Sequence, residues 1–96
     1  MPALLEGNRL VLEGDVNSAT VAALEGISLA HVRNGAELVD FGAVTDVDSA
    51  AVALALQCAR EARAMNRTLT FSNLSPKFID LARLYNVSDL FTDAHA

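Results

Sequence analysis

The run Leu38-Val39-Asp40-Phe41 lies between Gly35 and Gly42. It is too short for a helix and too apolar for a surface loop, so it reads as a buried central strand. Helical periodicity occurs on both sides of it. Upstream, Val21, Leu24, Ser28 and Val32 recur at three- to four-residue spacing, and downstream the stretch Ala50 to Ala59 is apolar and alanine-rich. A strand set between helices reaches its sheet neighbours by crossovers, which implies parallel pairing and right-handed connections.

The remaining segments fit that frame. Ala3-Leu4-Leu5 and Arg9-Leu10-Val11-Leu12-Glu13 flank the turn residues Glu6-Gly7-Asn8 and predict an edge hairpin. Asp15, Asn17 and Ser18 offer caps to the first helix, and Asn34-Gly35 supplies its left-handed stop. In the second helix Val52, Ala55, Leu56, Ala59 and Ala62 share one face, Gln57, Arg60 and Glu61 begin the polar side, and Asn66-Arg67 closes it. Thr68-Leu69-Thr70-Phe71-Ser72 alternates as a half-buried strand does. Ser75-Pro76 opens a last helix whose stripe Phe78, Leu81, Ala82 and Tyr85 runs to Asn86, and Val87 to Phe91 adds one short turn. The expected class is α/β, in the order β-β-α-β-α-β-α. It comprises a small mixed sheet of about four strands plus an N-terminal edge strand, with helices packed against it. The 96 residues are expected to form a single domain, 1–96, too small to enclose a deep substrate cavity.

Charge and residue types narrow the function. Twelve acids against seven bases give a net charge of −5, the wrong sign for a chain that binds phosphate backbones, so nucleic acid is not an expected partner. Eight of the acids lie at or before Asp48, against only Arg9 and Arg33, whereas the half from Ser49 onward is close to neutral. The lone Cys58 falls among alanines and leucines and reads as a small core residue in a reducing compartment. No N-terminal segment resembles a signal peptide and no apolar stretch is long enough to span a bilayer, so a cytoplasmic protein without direct membrane insertion is expected. His31 and His95 lack metal-ligand spacing, and no glycine-rich phosphate loop precedes a lysine. Asp46-Val47-Asp48 has the look of a phosphotransferase D-x-D, but lacks the further ligands and scaffold such chemistry needs. No catalytic residue, cofactor or metal is therefore assigned.

The functional clue is the segment Gly42 to Ser49, read as a strand-to-helix loop ending in Asp48-Ser49. Ser49 has two readings: a helix cap, or a hydroxyl exposed where added negative charge is favoured. Beside it Ala50, Ala53 and Leu54 offer a candidate apolar patch for a partner. The order of elements, with a hydrophobic strand leading to Asp48-Ser49 and an alanine-rich helix, resembles the STAS domain, the fold of anti-sigma-factor antagonists. Leu81-Ala82-Arg83-Leu84-Tyr85-Asn86-Val87 resembles the third-helix signature of the MlaB-type STAS subunits of bacterial phospholipid transporters.

That resemblance implies a noncatalytic subunit that binds the cytoplasmic, MlaF-like ATPase subunit of an ABC transporter and, indirectly, its permease. It would support assembly and activity in maintaining outer-membrane lipid asymmetry, from a place peripheral to the inner membrane. Asp48-Ser49 matches the family's acid-hydroxyl pair, while Ala50-Ala51 stands where many relatives carry glycine. Tyr85 is either the last member of a core stripe or a contact residue, and Arg60, Arg63 and Lys77 are candidate ion-pair partners for the ATPase. The alternative is an anti-sigma-factor antagonist whose partner, an anti-sigma-factor kinase, phosphorylates Ser49.

Overall fold

A computed structural model describes residues 3–91. In chain order the elements are β1 (Ala3–Glu6), β2 (Arg9–Val16), α1 (Val21–Arg33), β3 (Leu38–Val47), α2 (Ser49–Ala64), β4 (Thr70–Ser72) and α3 (Pro76–Leu84), then a 3₁₀ turn at Ser88–Leu90. The sheet has four strands in the order β1-β2-β3-β4, the N-terminal edge strand being one of the four. β1 and β2 are antiparallel, joined by a tight turn in which Gly7 takes φ 63°; the pairs β2–β3 and β3–β4 are parallel. His95 lies outside the described residues.

The register sorts side chains into faces. Leu5, Leu10, Val39 and Phe71 are aligned in one row across the sheet, and Leu10 and Val39 are 0% and 1% exposed. The helices cover this row with Leu24 and Val32 from α1, Leu54, Ala55 and Cys58 from α2, and Phe78 and Ala82 from α3, all in one core cluster. Phe78 meets Phe41 and Phe91 edge-on at 5.2 Å each, and Phe91 meets Phe71 at 5.1 Å. Ser28 is also fully buried, and its hydroxyl has no partner among the described residues.

Several sequence expectations shift. The segment from Gly42 is not a loop: β3 continues to Val47, with Ala43, Val44, Asp46 and Val47 aligned on Glu13, Gly14, Asp15 and Val16 across two register irregularities. A parallel ladder supplies the backbone bonds, so polar side chains in this overrun remain in water. The N-cap position of α1 is Thr20, while Asn17 holds the preceding turn through a bond from the Ala19 N–H at 2.9 Å. The buried side of α2 is Ala51, Val52, Leu54, Ala55, Cys58 and Ala62, with Leu56 and Ala59 only half-buried at its margin.

The three helices share one ending. After α1 the N–H groups of Gly35 and Ala36 return to the carbonyls of Val32 and His31, and Asn66-Arg67 and Asn86-Val87 repeat the pattern after α2 and α3. The turning residue has positive φ each time: 119° at Gly35, 59° at Asn66 and 60° at Asn86. Because α3 stops there, Tyr85 is its C-cap residue and is 51% exposed, so it does not complete the core stripe.

Candidate docking site at the start of the second helix

β3 ends on the buried Val47, and the chain turns into α2 through Asp48 in an extended conformation. Asp48 is the cap. One carboxylate oxygen accepts from the Ala50 N–H at 2.8 Å and the other from the Ser18 N–H at 3.0 Å, in the turn before α1. Ser49 is therefore the first helical residue, one position past the cap. It is exposed, and its hydroxyl has no hydrogen-bond partner among the described residues. Of the apolar residues assigned beside it, Ala50 is half-buried and Ala53 exposed. Leu54 is 2% exposed and belongs to the core cluster, on the buried side of α2 with Ala51, Ala55 and Cys58.

The surroundings of Ser49 are acidic. Asp46 receives a bond from the Lys77 ammonium at 2.9 Å, joining the end of β3 to the first turn of α3. That bond, then the Val47 N–H, holds the Asp46 carboxyl below its ordinary pKa. The Ser18 N–H, followed by that of Ala50, does the same for Asp48. Nearby, the Thr45 hydroxyl donates to Asp15 at 2.7 Å. Phe41, Val44, Val47 and Ser75 line a small cavity of about 130 Å³ beside Lys77. This end of the molecule thus presents a hydroxyl on a helix N-terminus already occupied by a carboxylate. Among the described residues, no group of three or more His, Cys, Asp or Glu is placed to hold a metal ion.

The remaining candidates lie elsewhere. α2 and α3 both start at the C-terminal ends of parallel strands, so their last turns sit at the opposite end of the sheet. Arg60 is eleven residues beyond Ser49, about 16 Å along the helix axis. Tyr85 follows the nine residues of α3, about 13 Å from its start. Asp48, Ser49, Ala50, Ala53 and Lys77 form one group; Arg60 and Tyr85 belong to the far end.

Two polar centres were missed by reading the sequence. Asp40 is 9% exposed on β3 and accepts from the Asn73 side chain at 2.9 Å and the Gly42 N–H at 2.8 Å, with the Arg9 guanidinium at 3.4 Å. These bonds, Asn73's foremost, lower its pKa. A side chain at Gly42 would begin 3.0 Å from an Asp40 oxygen and 3.2 Å from the Asn73 amide, so both would have to shift by a few tenths of an ångström to admit one. The second centre is Arg67, whose guanidinium donates to the Val32 carbonyl at 2.7 Å and to the Ala36 carbonyl, closing the end of α1. The available signals were an acid inside an apolar run and an arginine directly after a helix stop.

Comparison with known proteins follows the same outline. A sequence family described as Mlab, STAS domain, matches residues 3–92. No curated protein matches the sequence. Among solved structures, the anti-sigma factor antagonist SpoIIAA in its unphosphorylated form has a TM-score of 0.71 at 19% identity, over 96% of this chain and 85% of that one. The Bacillus cell fate determinant SpoIIAA in the phosphorylated form gives 0.64 at 21% identity, over 95% and 86%. A structure described as Mglu gives 0.56 at 18% identity, over 77% of this chain and 19% of that one. At these identities the likeness is one of fold. Among the described residues, no helix is long and apolar enough to cross a membrane.

Proposed function

The chain belongs to the STAS domain family, and from that premise we propose that it is a noncatalytic binding subunit, a single domain over residues 1–96. Its partner is the cytoplasmic ATPase subunit of an ABC transporter that moves phospholipids between membranes. The observation that carries this reading is Ser49, an exposed hydroxyl without a hydrogen-bond partner among the described residues at the first position of α2, beside exposed Ala53, in a chain matched by an MlaB-type family over residues 3–92. Docking through the start of α2 covers a hydroxyl and small apolar residues without dismantling any hydrogen bond. Lys77 and Asp46 flank the contact and contribute orientation more than affinity, since exposed pairs add about 0 to 1 kcal/mol. The protein then resides at the cytoplasmic face of the inner membrane through the transporter, with the permease as an indirect partner.

The test is co-purification of the full chain with the ATPase and permease of its own cell. Ser49→Ala retains the complex, whereas Ser49→Asp weakens it by about tenfold or more, because a third carboxylate joins Asp46 and Asp48 at a buried contact. Equal binding by both variants refutes the placement of Ser49 in the interface. A second reading is supported by the fold likeness to SpoIIAA in both its forms: an anti-sigma-factor antagonist phosphorylated at Ser49. Incubation with a cognate anti-sigma-factor kinase and ATP labels Ser49 under that reading. Recovery of a sigma-factor regulator without transporter subunits decides in its favour.

A further inference from the structure

The far end of the molecule carries an arrangement that the Ser49 end does not explain. All seven lysines and arginines lie among the described residues, and five are committed within the chain. Arg9 pairs with Glu6 and Asp40, Arg33 with Glu61, Lys77 with Asp46 and Arg83 with Asp80, while Arg67 holds the carbonyls at the end of α1. Arg60 and Arg63 alone have no ion pair or hydrogen bond with any described residue, and both are exposed. They line the same groove, about 330 Å³, between the last turns of α2 and the 3₁₀ turn after α3. Its floor is apolar: Leu56, Leu69, Val87 and Leu90, the last 55% exposed.

We propose that this groove is a second protein-docking site, taking an acidic amphipathic helix from a partner protein, with aliphatic side chains on the floor and carboxylates on Arg60 and Arg63. Spacing and charge carry the proposal. Arg60 and Arg63 are three residues apart on one helix, about one turn, and so offer two separate anion positions. Two carboxylates one turn apart on a partner helix match them, and planar guanidinium groups bind carboxylates bidentately. Next to them lies a floor large enough for two or three aliphatic side chains, the usual anchors of a helix laid in a groove. The chain as a whole carries −5, which opposes adsorption on an anionic lipid surface but not the docking of one short segment onto a local cationic rim. The groove is separate from the Ser49 end, so a partner engaging both gains from the second contact as an intramolecular event. The proposal does not depend on which partner binds at Ser49.

The experiment is fluorescence anisotropy with the full chain at low salt. The probe is a short labelled helical peptide with leucines on one face and two glutamates one turn apart; its control replaces both glutamates by glutamine. The expected result is binding of the glutamate peptide at least about tenfold tighter than the control, weakening as salt is raised. Arg60→Glu combined with Arg63→Glu removes that preference, and Leu90→Asn weakens both peptides; all three positions are exposed, so circular dichroism remains native. Ser49→Asp and Tyr85→Ala bind the peptide as the parent does. Equal affinity for the two peptides, or no loss on charge reversal, overturns the proposal. So does failure of the peptide in a protein that binds phosphatidylglycerol vesicles, which reassigns the groove to lipid.

Discussion

Arg67→Ala removes a clamp that joins two helices. The guanidinium donates to the Val32 carbonyl at 2.7 Å and to the Ala36 carbonyl, and both acceptor residues are 0% exposed. A hydrogen bond from a charged donor contributes about 1.5 to 3 kcal/mol, and a buried acceptor left bare loses more than it gains from strained hydration. Arg67 is itself half-buried, so water replaces part of what is lost. The expected cost of the pair is then about 2 to 3 kcal/mol, which in a domain of this size lowers Tm by roughly 10 to 20 °C. Arg67→Lys restores less than half of it, because one ammonium on a flexible stem cannot span both carbonyls as the planar fork does. Equilibrium urea unfolding followed at 222 nm measures both changes, with an unchanged m-value as the check on two-state behaviour. Arg83→Ala, which breaks an exposed pair with Asp80 at 3.6 Å, stays within about 0.5 kcal/mol of the parent. A loss below about 0.5 kcal/mol for Arg67→Ala, or full recovery with lysine, refutes the reasoning.

Three further outcomes follow from polar and buried groups. Asp40, Asp46 and Asp48 all have lowered pKa values, so their contribution to stability is full above the unfolded-state value near about 4 and lost as pH falls through the folded values. Urea titrations from pH 5 downward show that decline, Asp40→Asn flattens it, and a parent profile with no acid decline contradicts the assignment. Burial, with Glu25 and Glu61 nearby, pushes the Cys58 thiol up to about 12, so a thiol reagent reacts with it only on unfolding; rapid labelling of native protein at pH 8 counts against this. Ser28→Ala removes a buried hydroxyl without a partner among the described residues and raises stability by about 1 kcal/mol, read as a higher urea midpoint.

The parts legible in the sequence were those written in local chemistry. Ser75-Pro76 opens α3 with the serine oxygen accepting from the Phe78 N–H at 3.1 Å, and each helix closes on the glycine or asparagine that takes a left-handed backbone. What escaped depended on partners far along the chain. Gly42 to Val47 has turn-like composition, yet the facing segment Glu13 to Val16 extends equally far and pairs with it. Asp48 displaced Ser49 as the cap because its carboxylate also serves Ser18, thirty residues earlier. Leu54, expected in an exposed patch, lies in the core, and of the two readings of Tyr85 the core stripe fails because α3 ends before it is complete.

The residues that bracket α2 hold α1 at both of its ends: Asp48 bonds the turn that leads into α1, and Arg67 bonds the carbonyl of its last turn. Between those anchors the two helices pack against each other. Fraying at either end of α1 breaks a bond made by a residue flanking α2, so joint opening of the two helices is the expected pattern in amide exchange. Among the described residues α3 is tied instead to the end of β3 and to the core, through Lys77 on Asp46 and Phe78 on Phe41. A partner that pulls on the start of α2 therefore also loads the turn before α1, through the bond from the Ser18 N–H to Asp48.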